Sequence, residues 1–341
     1  LLLAVGLPVF GATVSFSDQT ASAGLLHTPG SPADMDSKEM FHGGSVGYFN
    51  RDGWPDLFLL GGGTIADALF INNGNGTFTN QAAAWGVDFV HRGRGSTVGD
   101  YNADGWPDLY VTSGGDMGGA DRISQHRLYE NNGNGTFTER GVVAGVNESS
   151  VLYATATGAA FGDYDLDGDL DLFVCGWEPV TCFINPCDQN RLFQNQGDGT
   201  FADVTSAAGI ANNFDGFSPR FVDMNGDRYP ELIVAADYRT SRYFANNGDG
   251  TFTNMTAASG TGEDDNGMGS TVGDFNRDGL PDWWEEDHGL DPEFSGDAEL
   301  DADGDGMSNR DEFLAGSDPN ESNRAPSLVS TELLIYEGGE S

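Results

Sequence analysis

Six short phrases place side-chain oxygens at alternate positions, a spacing that folds several of them around one point. The first holds Asn50, Asp52 and Asp56, with Tyr48 in the leading position. Next come Asp100, Asn102, Asp104 and Asp108, then Asp163, Asp165, Asp167 and Asp171. The fourth has Asp223, Asn225, Asp227 and Glu231, and the fifth Asp274, Asn276, Asp278 and Asp282. The sixth has Asp301, Asp303, Asp305 and Asn309. The oxygens fall at positions 1, 3, 5 and 9, and position 6 is glycine except for Arg228 in the fourth. Carboxylates converging on a sharp, glycine-permitted turn suit a hard cation such as Ca2+. Asx-turn chemistry without an ion uses the same residue types, but recurrence at one phase of a repeat favours the metal. Position 12 separates two kinds of loop. In the first four it is Leu59, Val111, Val174 and Val234; in the last two it is Glu285 and Glu312, which supply a further carboxylate. Up to six Ca2+ sites follow, with the first and fourth the least complete.

The elements that position these loops come from a repeat. Asn-Gly-Asn-Gly-Thr-Phe ends at Phe78 and Phe137, and Gly-Asp-Gly-Thr-Phe at Phe201 and Phe252. Each of the first four acidic loops runs into a short apolar segment: 57–60, 109–111, 172–174 and 232–234. These segments are too short for helices and are bounded by glycine, so they read as buried strands. A further strand follows (68–71, 127–130, 191–194, 242–245), and an Asn-Gly or Asp-Gly turn reverses the chain into the next. Three or four strands per period predict an all-β fold, a β-propeller with four clear repeats and a partial fifth. A β-solenoid is the alternative, although its repeats are usually shorter. Ser15–Leu25 has the same pattern as Thr200–Ile210, so the repeats begin near residue 13.

On these phrases, residues 13 to 273 resemble FG-GAP/VCBS repeats, the calcium-binding blades of integrin α chains and the cartilage acidic protein group. Residues 274–319, with Leu280-Pro281-Asp282-Trp283-Trp284-Glu285 and Gly316-Ser317-Asp318-Pro319, look like bacterial thrombospondin type 3 repeats. They form a small calcium-loop and short-helix module. Residues 320–341 look like a linker and the opening strand of a cadherin- or immunoglobulin-like domain, and imply a longer protein. The resemblance implies a non-enzymatic calcium-binding module of a bacterial surface, adhesion or extracellular-appendage protein. The alternative is a secreted carbohydrate-binding or carbohydrate-active protein, a glycosidase or lyase.

Composition supports this setting. The 341 residues carry 54 acidic against 15 basic side chains, a formal charge of −39. Such a charge excludes nucleic acid and anionic membranes as partners and calls for cations among the carboxylates. The 22 Phe argue against a disordered acidic tail, and no run is long enough to span a membrane. Residues 1–12 read as a signal-peptide remnant. The expected location is therefore secreted or cell-surface, with an extracellular protein, a glycan or a second copy as partner. Cys182 and Cys187 can close a small loop, whereas Cys175 ends an apolar run and reads as a buried thiol. Gly43-Gly44-Ser45-Val46-Gly47 matches a nucleophile elbow, yet it precedes an acidic loop as Gly95–Gly99 does and reads as strand. The five histidines occupy non-equivalent positions and read as surface or turn residues.

Overall fold

A computed structural model describes residues 16–30, 43–114, 126–147, 156–177, 190–210, 214–262 and 265–270. In the C-terminal stretch it describes 280, 285, 288–291, 294, 296–315 and 317–320. The acidic phrases and Asn-Gly turns divide the chain into four antiparallel four-stranded sheets with sequential strand order. Sheet 1 has β1 (Gly44–Gly47), β2 (Asp56–Leu59), β3 (Ala68–Asn72) and β4 (Phe78–Asn80). Sheet 2 has β5 (Gly93–Gly99), β6 (Asp108–Ser113), β7 (Arg127–Asn131) and β8 (Phe137–Glu139). Sheet 3 has β9 (Ala156–Gly162), β10 (Asp171–Gly176), β11 (Arg191–Asn195) and β12 (Phe201–Asp203). Sheet 4 has β13 (Gly216–Val222), β14 (Glu231–Ala236), β15 (Arg242–Asn246) and β16 (Phe252–Asn254). The nucleophile-elbow pattern is strand β1, as its repeat position predicts.

Alternation along the second strand of each sheet sends successive side chains to opposite faces. Each core therefore forms between neighbouring sheets. Phe58, Leu60 and Leu69 of sheet 1 meet Leu109, Val111 and Tyr129 of sheet 2. Tyr110 and Leu128 of sheet 2 meet Leu172, Val174 and Phe193 of sheet 3, and Phe173, Cys175 and Leu192 meet Leu232, Val234 and Phe244 of sheet 4. Every sheet thus has a leading face, turned to its predecessor, and a trailing face, turned to its successor. The first strands lie side by side, β1 on β5, β5 on β9 and β9 on β13. Glycine makes this possible: a methyl at Gly95 would sit 2.3 Å from the Thr157 carbonyl oxygen, and one at Gly158 would sit 2.2 Å from that of Phe217. Cys175 is fully buried and unpaired, and burial pushes its thiol pKa up. Cys182 and Cys187 lie outside the described residues.

Short helical turns follow three outer strands: α1 (Ala82–Trp85), α2 (Gly141–Ala144) and α3 (Thr256–Ser259). Each ends at a left-handed glycine, Gly86, Gly145 or Gly260. Residues 16–25 copy this element, as their sequence predicts: Leu25 N donates to the Thr20 carbonyl as Ile210 N does to Thr205. Ala23 then accepts a hydrogen bond from Phe78 N, matching Ala208 and Phe252 N. The last element, α4 (Asn309–Ala315), follows the sixth acidic loop directly. Beside it Leu280 and Ala298 are fully buried and pack with Leu290 and Phe313.

Candidate metal centres

In sheets 1 to 4 the acidic loop joins the first strand to the second, so the antiparallel pair brings both of its ends together. One backbone shape recurs. Positions 4 and 6 both take left-handed φ: Arg51 (56°) and Gly53 (88°), Ala103 (54°) and Gly105 (88°), Leu166 (58°) and Gly168 (97°). The fourth loop, whose Arg228 suggested a different geometry, keeps the shape and exchanges the residue types, with Gly226 at 74° and Arg228 at 79°. The sixth loop matches through Gly304 (79°) and Gly306 (103°). These turns aim backbone N–H groups at the position-1 carboxylate. Asp100 accepts from Asp104 N and Gly105 N, Asp223 from Gly226 N and Arg228 N, and Asp301 from Gly304, Asp305 and Gly306 N. Tyr48 removes that acceptor from the first loop.

Position 9 has a role the spacing did not reveal. Asp108 is fully buried and both its oxygens accept backbone N–H groups, from Tyr101 at 3.1 Å and Asn131 at 2.7 Å. Asp56 repeats this with Phe49 and Asn72, and Asp171 with Tyr164 and Asn195. Glu231 reaches Met224 N and the Asn225 amide instead. These carboxylates stitch loop to sheet before any ion is considered, and a carboxylate has lone pairs left for one. Burial pushes Asp108 and Asp171 up to about 8 and Glu231 to about 7, and it also raises Asp56.

In two loops the donor set fits a cation best. In the third, Asp163, Asp165 and Asp171 each bring an oxygen within 4.8 Å of the others, and Asp163 Oδ1 and Asp165 Oδ1 are buried without a hydrogen-bond partner. In the sixth, Asp301, Asp303 and Asp305 converge likewise. There Asp303 Oδ2, Asp305 Oδ2 and both oxygens of the fully buried Glu312 are unpartnered. Burial and the neighbouring aspartates raise the pKa of Glu312. Unpaired buried oxygens of one sign are costly, and an oxygen-only donor set fits Ca2+. Asp167 is exposed beside the third cluster and accepts the Asp169 N–H. Asn309 donates its amide N–H to the Asp297 carbonyl and accepts the Ala302 N–H, so it also braces the sixth loop. Asp52, Asp104, Asn225 and Asp227 lie on the exposed rims of their loops, and Asn50 and Asn102 are half-buried. Asp274, Asn276, Asp278 and Asp282 lie outside the described residues, while Glu285 is fully buried.

Sequence reasoning missed a second repeated position, just before the third strand. Asp67, His126, Asn190 and Ser241 each cap the equivalent backbone N–H at the end of the second strand: Gly61 (2.8 Å), Ser113 (2.9 Å), Gly176 (3.2 Å) and Ala236 (2.9 Å). His126 is therefore buried, not a surface residue. The His91 side chain is nearly covered as well, 6% exposed, with Nδ1 at 3.2 Å from Asp67 Oδ2.

Comparison with known proteins now bears on this architecture. A model of the FG-GAP-like repeat matches residues 49–111, 116–174, 181–234 and 223–284. Mouse (Mus musculus) cartilage acidic protein 1 is 29% identical over 164 residues, covering 43% of this chain and 23% of that protein. The chain thus spans under a quarter of that relative's length. Among solved structures, an Agrocybe aegerita lectin that recognises non-reducing terminal N-acetylglucosamine aligns at 19% identity and TM-score 0.36, over 63% of this chain and 51% of its own. The V. cholerae biofilm matrix protein Bap1 aligns at 15% identity and TM-score 0.31, over 66% and 41%. The matched segments run from one acidic loop through to the strand after the next and together cover more than half of the chain, which belongs to the FG-GAP-like repeat family.

Proposed function

We propose that the chain is a calcium-stiffened, non-enzymatic module of an extracellular bacterial surface or adhesion protein. Its sheets act as blades of a β-propeller over residues 13–273. Residues 274–319 act as a thrombospondin type 3-like calcium spacer after it. The observation that carries this reading is the set of buried, unpartnered oxygens on Asp163, Asp165, Asp303, Asp305 and Glu312. A bound Ca2+ would supply the positive charge these oxygens lack, held by Asp163, Asp165 and Asp171 in one loop and by Asp301, Asp303, Asp305 and Glu312 in the other. Stiffness rather than catalysis follows, because the carboxylates lie in loop–strand junctions and are engaged with their own backbone.

Glycan recognition is the second reading for the partner. It is favoured by Tyr48 and Trp54, each 50% exposed on the first loop, where aromatic rings can stack on sugar faces. The test is a melting curve of the metal-stripped chain with and without millimolar Ca2+, followed by binding to a panel of neutral and acidic polysaccharides. An unchanged melting temperature sinks the calcium reading. Release of new reducing ends from any polysaccharide sinks the non-enzymatic one.

A further inference from the structure

An asparagine followed by glycine is prone to lose its side-chain amide, because glycine leaves the next backbone nitrogen open to approach the side-chain carbonyl carbon. The described residues hold seven Asn-Gly pairs, and in five the glycine N–H is already spent. Gly74, Gly133 and Gly248 donate to the side-chain oxygens of Asn72, Asn131 and Asn246. Gly226 donates to Asp223, and Gly267 to the Ala236 carbonyl. Asn73 is held further, its amide donating to Thr77 Oγ1 and its oxygen accepting from Thr79 Oγ1, and Asn132 repeats this with Thr136 and Thr138.

The remaining pairs differ in every one of these respects. Asn75-Gly76 and Asn134-Gly135 lie at the tips of the β3–β4 and β7–β8 hairpins, with both asparagines exposed. Gly76 N and Gly135 N meet no acceptor among the described residues, and neither asparagine amide nitrogen is bonded to one. The side-chain carbonyls, by contrast, are polarised. Asn75 Oδ1 accepts from Thr77 N at 3.0 Å and Thr77 Oγ1 at 2.6 Å, and Asn134 Oδ1 accepts from Thr136 Oγ1 at 2.6 Å. Donors on this oxygen stabilise the charge it gathers when a nucleophile adds to its carbon, as an oxyanion hole does. Sheets 3 and 4 carry Asp198 and Asp249 at the same turn position, each accepting from N and Oγ1 of Thr200 or Thr251.

We propose that Asn75 and Asn134 are sites of spontaneous deamidation in the folded chain, in turns whose sister copies already hold aspartate. Gly76 N gives its proton to solvent and bonds to Asn75 Cγ. The bond from Cγ to the amide nitrogen then breaks, and that nitrogen leaves with a solvent proton as ammonia, closing a five-membered succinimide. Water opens the ring at Cγ to give aspartate, or at the main-chain carbonyl to give isoaspartate. One water is consumed and one ammonia released, with no change of oxidation state. Both sites together take the formal charge from −39 to −41. Aspartate keeps the acceptor for Thr77, whereas isoaspartate lengthens the main chain between the paired residues Asn72 and Phe78.

The test is peptide mapping by mass spectrometry of the full chain, held at pH 8 in millimolar Ca2+, with a urea-unfolded sample as reference. In the folded chain Asn75 and Asn134 convert at least tenfold faster than Asn73, Asn132 and Asn247, and unfolding brings all five to similar rates. Thr77→Val removes one donor from the Asn75 oxygen and slows Asn75 about tenfold or more, while Thr77→Ser restores it. Asn132 remains slow in both variants, which reports that they are folded. Three results overturn the proposal: no conversion of Asn75 and Asn134 in the folded chain while the unfolded one reacts, equal rates at all five in the folded chain, or an Asn75 that Thr77→Val leaves unchanged.

Discussion

The Asn131 side-chain amide donates a 2.9 Å hydrogen bond to the Phe49 carbonyl, 82 residues earlier and one sheet away. The same amide also reaches the Pro107 carbonyl of its own sheet, and Asn195 and Asn246 repeat the arrangement with Tyr101 and Tyr164. Phe49 N in turn donates to Asp56. One residue therefore ties the acidic loop of a sheet both to its own carboxylate and to the sheet that follows, so loop order and sheet stacking are coupled. Replacing Asn131 by Ala leaves buried carbonyls unpaired and should cost roughly 2–3 kcal/mol, as each unsatisfied group costs about 1–3. Asn72→Ala loses an exposed bond to Pro55 and the Gly74 N–H, whose counterpart from Gly133 Asn131→Ala loses too, but no bond to another sheet, so it should cost about 1 kcal/mol less. Urea unfolding of the two variants checks this, and equal losses would remove the coupling.

Arg228 sits at φ 79° where every other described loop has glycine. A non-glycine residue there is strained by Cβ, at a cost of about 1–2 kcal/mol. Arg228→Gly should therefore raise stability by roughly 1 kcal/mol after the greater unfolded-state entropy of glycine is set against the relief. The denaturation midpoint should rise with an unchanged m-value. A lower midpoint would mean that the Arg228 side chain stabilises the loop by more than its backbone strain costs.

The acidic loops and Asn-Gly turns were legible in the sequence because their chemistry is local: oxygens, glycines and strands fall within a dozen residues of each other. The inter-sheet Asn was visible only as a repeated letter, since its role depends on a carbonyl one period away. The capping position was not visible at all. Asp67, His126, Asn190 and Ser241 share no residue type, only an acceptor atom, and the backbone N–H they satisfy is identified by register alone. Position 9 was read as a metal ligand by spacing, but its burial and its bonds to Tyr101 N and Asn131 N emerge only from the folded pair of strands.

Burial places Asp108 and Asp171 near 8 and Glu231 near 7 in the ion-free fold. All three lie above the ordinary carboxylate range, so folding takes up protons, and the stability this contributes is lost as pH rises through those values. The metal-stripped chain should melt lower at pH 8 than at pH 5.5. With saturating Ca2+ the order should reverse, because protons then compete with the ion for the same oxygens. Melting curves at the two pH values, with and without Ca2+, test both signs. The same slope in both conditions would mean that these carboxylates do not meet the ion.

Ligand charge should order the sites. The third loop carries four carboxylates at ligand positions, and three of them already converge in the fold, whereas Tyr48 leaves the first with two. In a calcium titration Asp165→Asn should weaken the tightest of the four blade-loop events at least tenfold and leave the others in place. If Asp52→Asn does so instead, geometry rather than charge sets affinity.

Glu312 is the sharpest case, because both its oxygens are buried without a partner beside Asp303 and Asp305, whose own Oδ2 atoms are unpartnered too. Without an ion this cluster is a concentration of like charge that so small an apolar group as Leu280, Ala298, Leu290 and Phe313 cannot offset. With Ca2+ the same carboxylates become its ligands. Glu312→Gln should therefore act with opposite signs in the two conditions. It should stabilise the segment in chelator by removing a buried charge, and weaken calcium binding there by at least tenfold. A fragment of residues 266–322 reads this directly, with amide NMR dispersion absent in chelator and present in millimolar Ca2+ for the native sequence. Dispersion in chelator would show that the segment does not depend on an ion for its fold, and none in millimolar calcium would refute an independently folding spacer. Equal calcium affinity of native and Glu312→Gln fragments would remove Glu312 from the ligand set.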